Sequence, residues 1–241
     1  MMTNTKNMTI NKHTKIFSKL IAQLFLFTII ALVVFSIGLV PAVLWTIFIF
    51  HLMMPFNTIF HFILLPFITI FSLWILLVSE IFISGAIVRL FNIKYAEGVY
   101  DYSVRNNMAF KWMILCQLYT PIRKILEIVP MGYVKTAYLK LLGMKIGKDS
   151  LIGGVIKDPC VTEIGDNVTI GEYAVLYAHI QNSAKGTISI KKIKIGNNCV
   201  IGAGAIIMPG VVMEGNAVLA AGSLVTKNRV LKKNKTYGGN P

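Results

Sequence analysis

From residue 145 onward the chain keeps a six-residue beat in which an aliphatic residue and usually a glycine recur: Ile146-Gly147, Ile152-Gly153, Ile164-Gly165, Ile170-Gly171, Ile195-Gly196 and Ile201-Gly202. Neither an amphipathic helix nor a hairpin repeats at that interval, whereas a stacked β-coil does. The aliphatic phase runs through Ile146, Ile152, Asp158, Ile164, Ile170 and Leu176, and resumes through Ile195, Ile201, Ile207, Met213, Leu219 and Val225. Asp158 alone breaks it. Three hexapeptides close one triangular coil of about eighteen residues, with the aliphatic side chains stacked inside and small residues after them for the corners.

The two runs are out of register with each other, because the interval from Leu176 to Ile195 is not a multiple of six. Residues 182–194 therefore read as a loop ejected from the coil, and the residue shortly before it, His179, sits where functional groups concentrate on a rigid scaffold.

Hydrophobic residues make up 55% of the chain, too many for an ordinary soluble domain. No Asp, Glu, Lys or Arg occurs from Leu20 through Ser79, and about 20 apolar residues suffice to cross a bilayer core. Two long crossings, roughly Leu20 to Phe50 and Ile59 to Val88, fit better than three short ones, with the polar cluster from His51 to Thr58, including Pro55 and Asn57, as the turn. Lys6, Lys12, Lys15 and Lys19 precede the first span, Arg89 and Lys94 follow the second, and the turn carries no basic residue. The positive-inside rule then places both ends in the cytoplasm, as expected of a multi-pass protein of the inner membrane. A cleaved signal peptide has a much shorter apolar core. Glu80 reads as an interfacial residue.

Four segments follow: a basic cytoplasmic tail (1–19), a transmembrane helical hairpin (20–90), amphipathic interfacial helices (91–144) and a left-handed parallel β-helix (145–241). In the third, Tyr133 to Leu142 reads as a helix stopped by Gly143 in a left-handed cap. The net charge of +14 has two readings: attraction to anionic membrane lipid, or recognition of a polyanionic donor by lysines such as Lys185, Lys191, Lys192 and Lys227. No nucleic-acid recognition motif accompanies it. Cys116, Cys160 and Cys199 show no spacing for a disulfide framework or a zinc site, so no metal is expected.

With the repeats, His179 and the run from Gly222-Ser223-Leu224-Val225-Thr226-Lys227 to Gly238-Gly239-Asn240-Pro241 in view, residues 145–241 resemble the hexapeptide-repeat acyltransferases. Upstream, Glu97-Gly98-Val99-Tyr100, Lys111-Trp112 and Tyr138-Leu139-Lys140-Leu141-Leu142-Gly143 are similar to the membrane-embedded C-terminal region of Pls-type peptide synthetases, the epsilon-poly-lysine synthetase group. These residues hold no adenylation or carrier domain, so the acyl group would be activated elsewhere. The resemblance implies a homotrimer, acyl-CoA (acetyl-CoA) or a carrier-protein thioester as donor, and His179 as general base. It further implies that Gly202, Ala203, Gly204, Ala220, Ala221 and Gly222 line the pantetheine groove, with Lys227 near its far end.

Acyl transfer needs a base with a pKa near neutrality, and His179 is the single histidine of the coil region, while His13, His51 and His61 lie in the tail, turn and second span. A carboxylate should orient its imidazole. Glu172, Asp158 and Glu163 are the candidates, and the simplest expectation is that all three are solvated corner residues. One histidine per prism does not furnish the three ligands of a γ-type carbonic anhydrase zinc site. The expectation is a membrane-anchored acyltransferase acting on a hydroxyl or amine of a lipid-linked sugar or lipid. Two alternatives stand beside it: Pls-like amide-bond formation on an amino acid or peptide amine, and a non-catalytic trimerising scaffold.

Overall fold

The computed structural model describes residues 2–54, 58–129 and 131–241, with side chains from residue 25 onward. Pro55 and Asn57 of the expected turn, and the side chains of Lys6, Lys12, His13, Lys15 and Lys19, lie outside the described residues.

Two helices open the chain, α1 (Met2–Met53) and α2 (Thr58–Leu90). The segments Phe25–Met53 and Thr58–Leu90 are long and apolar enough to cross a membrane. The helix reaches back through residues 2–19, so the described part of the stretch expected as a tail is a continuation of α1. Polar contacts join the two helices where small residues let them close: Ser79 Oγ donates to the Gly38 carbonyl at 2.6 Å, and the Thr46 and Ser72 hydroxyls lie 3.2 Å apart. Most apolar side chains on their outer faces remain exposed, as in Phe62, Phe67 and Phe71.

Helices α3 (Asn107–Ile128) and α4 (Gly132–Leu141) follow. Asn106 caps α3, its side-chain oxygen accepting from the N–H groups of Met108 and Ala109. Gly143, at φ +96°, ends α4 in a Schellman motif, with Met144 N–H donating to Leu139 O and Gly143 N–H to Lys140 O. Neither helix simply floats on an interface. Leu115, Leu118, Ile122, Tyr138 and Leu139 are buried within one apolar core continuous from α1 and α2 into the coil.

From Lys145 the strands are short, parallel and stacked in three sheets. One face stacks Ile146, Ile164, Ile195, Met213 and Leu231. The second stacks Ile152, Ile170, Ile201, Leu219 and Tyr237, and the third Ile156, Leu176, Ile207 and Val225. This is the left-handed parallel β-helix the repeat predicts. In the first coil Ile156, not Asp158, takes the ladder position against Leu176. The surplus chain is absorbed by a short 3-10 turn at Pro159–Val161.

Two features correct the expected corner chemistry. The glycines after the aliphatic residues are required by close coil-to-coil approach: a Cβ on Gly202 would run into the backbone of Ala220 and Ala221 in the next coil. At one edge the chain turns through asparagines in the left-handed conformation, Asn167, Asn198, Asn216 and Asn234, with φ between 55° and 58°. Their side chains form a ladder, Asn198 Nδ2 donating to Asn216 Oδ1 at 3.0 Å and Asn216 Nδ2 to Asn234 Oδ1 at 3.0 Å.

The insertion is likewise not a free loop. His179–Asn182 and Thr187–Ile190 form an antiparallel hairpin turned at Gly186 (φ +60°), and the strand Gly98–Asp101 pairs with its second arm. Ile188 and Ile190 are fully buried beneath it, which anchors the excursion to the coil and to the segment that follows α2.

Candidate active site

The residue that breaks the aliphatic phase is the centre of the polar cluster. Asp158 is fully buried, and its carboxylate accepts from four donors. Tyr95 Oη and Trp112 Nε1 donate to Oδ1 at 2.9 and 3.1 Å, the Ala178 N–H donates to Oδ2 at 2.9 Å, and His179 Nδ1 stands 2.7 Å from Oδ2. The expectation of a solvated corner residue is therefore overturned for Asp158. Because stacked coils carry Ala178 past Asp158, the same register that builds the ladder sets His179 over the carboxylate. Glu172 is exposed at its corner, and Glu163 holds Lys145 at 3.0 Å and Lys192 at 3.2 Å rather than a histidine. The Lys145 hydrogen bond, with Lys192, keeps the Glu163 carboxyl below the ordinary range.

An ionised carboxylate only accepts hydrogen bonds, so a neutral His179 carries its proton on Nδ1 and presents Nε2 as a lone pair. The Trp112 ring meets the imidazole edge-on with centroids 4.9 Å apart, and Tyr177 approaches from another side at 6.4 Å. His179 thus has a fixed tautomer, a restricted ring plane and a side chain still one-fifth exposed. That combination suits a general base.

Cys116 and Cys160 lie close to this cluster, yet burial pushes the Cys160 thiol up to about 11 and Cys116 higher still. Both stay protonated near neutrality and are poor nucleophiles.

On the hairpin face that carries Ile180 and Asn182, the one opposite His179, the hairpin and the coil edge enclose a cleft of about 370 Å³ bordered by Lys185, Lys191 and Lys227. Lys191 donates to Asn228 Oδ1 at 2.9 Å. The small-residue stretches stack on each other as coil neighbours, Gly222 N–H donating to Ala203 O at 2.9 Å. They follow Ile201 and Leu219, whereas Lys227 follows Val225 on a different sheet. In one chain the structure brings Lys227 to the hairpin side and leaves Gly202–Gly204 and Ala220–Gly222 on another edge of the prism. Tyr95 and Trp112 were not legible as site residues, and the one sequence signal for the cluster was the polar residue in an aliphatic phase.

The fold defined by these ladders is that of the hexapeptide-repeat proteins. Residues 192–227 match the family described as the hexapeptide repeat of succinyl-transferase. Among solved structures, the chain is similar to a hexapeptide-repeat acetyltransferase from Vibrio cholerae, at 19% identity and TM-score 0.46, over 54% of this chain and 89% of that one. A form of that enzyme complexed with acetyl coenzyme A aligns at 20% identity and TM-score 0.41, over 50% and 80% of the two chains. A maltose O-acetyltransferase from Clostridium difficile 630 aligns at 23% identity and TM-score 0.41, over 49% and 80%. A comparison with curated protein sequences finds no match.

Proposed function

We propose that this chain is an acyltransferase that moves an acyl group, acetyl in the simplest case, from a coenzyme A thioester to a hydroxyl or amine of a membrane-associated acceptor. The observation that carries the reading is the His179–Asp158 pair: a buried carboxylate on Nδ1 and a partly exposed Nε2. In the reaction Nε2 takes the proton of the acceptor as its oxygen or nitrogen attacks the thioester carbonyl. The C–S bond then breaks, and the imidazolium returns the proton to the leaving thiolate, giving an ester or amide and free coenzyme A. Asp158 stabilises the imidazolium that forms between the two steps.

Lys185, Lys191 and Lys227 supply positive charge for the phosphates of the donor along the hairpin face that carries Ile180 and Asn182. Gly202, Ala203, Gly204, Ala220, Ala221 and Gly222 stand on another edge, so they serve the pantetheine arm only when a neighbouring prism brings its edge to this His179. Hence the reading includes a homotrimer with sites between subunits. The apolar pair α1 and α2 anchors the prism to the membrane, with both ends on the cytoplasmic side, and so raises the effective concentration of an amphiphilic acceptor.

The test is transfer of label from acetyl coenzyme A into the lipid and glycan fraction of membranes bearing the wild-type chain or His179→Ala. Label in the wild type and none in a folded, assembled variant is the expected result. Equal transfer in both removes the histidine from the chemistry.

A further inference from the structure

Between α1, α2 and α3 lies a cavity of about 510 Å³ lined by Phe35, Trp74, Leu77, Glu80, Ile122 and Ile125 among others. Its α2 wall faces outward, with Ile70, Leu73 and Trp74 all exposed. One lining group is polar: Glu80, whose carboxyl packs on Gly38 and whose Oε2 is buried without a hydrogen-bond partner. An apolar cavity with a single unsatisfied polar atom is shaped for an amphiphile rather than for helix packing alone.

Contacts and chain neighbours lead from the cavity wall toward the histidine. Ile122 of its lining is followed on α3 by Arg123, which lies over the Tyr119 ring at 5.9 Å. The Tyr119 hydroxyl donates to Ile156 O at 2.7 Å, and the next residue is Lys157, its Nζ 5.6 Å above the Tyr177 ring that flanks His179. Ten residues of α3 separate Ile122 from Trp112, about 15 Å along the axis. Lys157 is half-buried and forms no ion pair among the described residues, whereas Arg123 and Lys124 are both paired with Glu127. Burial and the neighbouring Arg123 charge pull the Lys157 ammonium below its ordinary range.

We propose that the acceptor is a lipid whose headgroup carries a terminal phosphate monoester, with its hydrocarbon chain in the α1/α2/α3 cavity and that phosphate held by Lys157, presenting its nucleophile to His179. The assignment rests on the acyl-transfer reading for its chemistry, while lipid binding is measurable without turnover. Lys157 is then a specificity-determining residue, and the cavity sets the chain.

The test uses the full chain in phosphatidylcholine nanodiscs containing a small, equal fraction of either phosphatidic acid or phosphatidylcholine with brominated chains. Quenching of Trp74 is read as the difference from Trp74→Phe. Expected is several-fold stronger quenching by the phosphatidic acid, lost in Lys157→Met, kept in Lys157→Arg, and lost for both lipids in Ile125→Phe, which fills the cavity. Equal quenching by the two lipids in the wild type, or a preference that survives Lys157→Met, overturns the proposal. His179→Ala keeps the preference. If that variant also keeps acyl transfer, the catalytic reading fails while the lipid site stands. In the transfer assay, Lys157→Met raises KM for the lipid acceptor about tenfold and leaves KM for the donor unchanged.

Discussion

Asp158 Oδ2 and His179 Nδ1 meet at 2.7 Å, although 21 residues separate them, because one turn of the coil stacks the histidine's segment directly on the aspartate's. The carboxylate is fully buried and also holds Trp112 and Tyr95, so the imidazole is oriented by groups from three parts of the chain.

Replacing Asp158 by Asn removes the charge and offers the imidazole an amide in place of a pure acceptor. Transfer should fall by between about 10² and 10⁴ in kcat, with a change in donor KM of less than about threefold. Stopped-flow or steady-state label transfer checks the split, and a variant in which donor KM carries the loss points to donor binding instead.

Tyr95→Phe deletes one of the four hydrogen bonds to the same carboxylate while leaving His179 in place. Bonds to charged groups contribute about 1.5–3 kcal/mol, so the melting temperature should drop while transfer persists. Thermal unfolding in detergent beside the transfer assay separates the two effects.

At Asn216 the backbone stands at φ +58° and the side chain links Asn198 to Asn234. Asn216→Ala should destabilise the prism by about 1–2 kcal/mol from the left-handed conformation, plus the ladder bonds. Asn216→Gly should recover the conformational part and not the ladder. A glycine variant no better than alanine would put the whole loss in the side-chain bonds.

Gly202→Val is expected to disrupt folding more than any surface change in the coil, because its Cβ enters the backbone of the next turn. Overpacking of this kind costs about 1–3 kcal/mol and sometimes more. Expression level and protease resistance of the membrane fraction report it.

Glu163 is held below the ordinary carboxylate range by its bonds to Lys145 and Lys192, so its contribution to stability is present above the unfolded pKa of about 4.3 and is lost as pH falls through the lower folded value. Melting temperatures measured from pH 7 to pH 3 should fall more steeply for the wild type than for Glu163→Gln. Parallel curves would show that the lysine pair contributes nothing measurable.

The coil was legible because its period is a local property. Each Ile-Gly unit repeats the same constraint, so Ile146, Ile164, Ile195 and Met213 declare one inward column before any contact is known. Gly143 as a helix stop and the long uncharged run were legible for the same reason, since caps and apolar length depend on neighbours in sequence. The paired asparagine column is not legible in the six-residue beat, which marks only the aliphatic residue and the glycine after it. In the structure Gly202 answers to the coil above it, while the left-handed turns along that edge belong to Asn167, Asn198, Asn216 and Asn234.

By itself, then, the sequence determined the prism, the two apolar helices and His179 as the histidine worth watching, all of which rest on periodicity, composition or a count. Only the tertiary structure decided that Asp158 is a buried partner instead of a solvated corner, that the insertion is a hairpin pinned by Gly98–Asp101, and that Lys157 lies over the Tyr177 ring that flanks His179. Those relationships join residues far apart in sequence, and whether a carboxylate is solvated or enclosed by four donors depends on which coils and helices stack over it, a property no local pattern encodes.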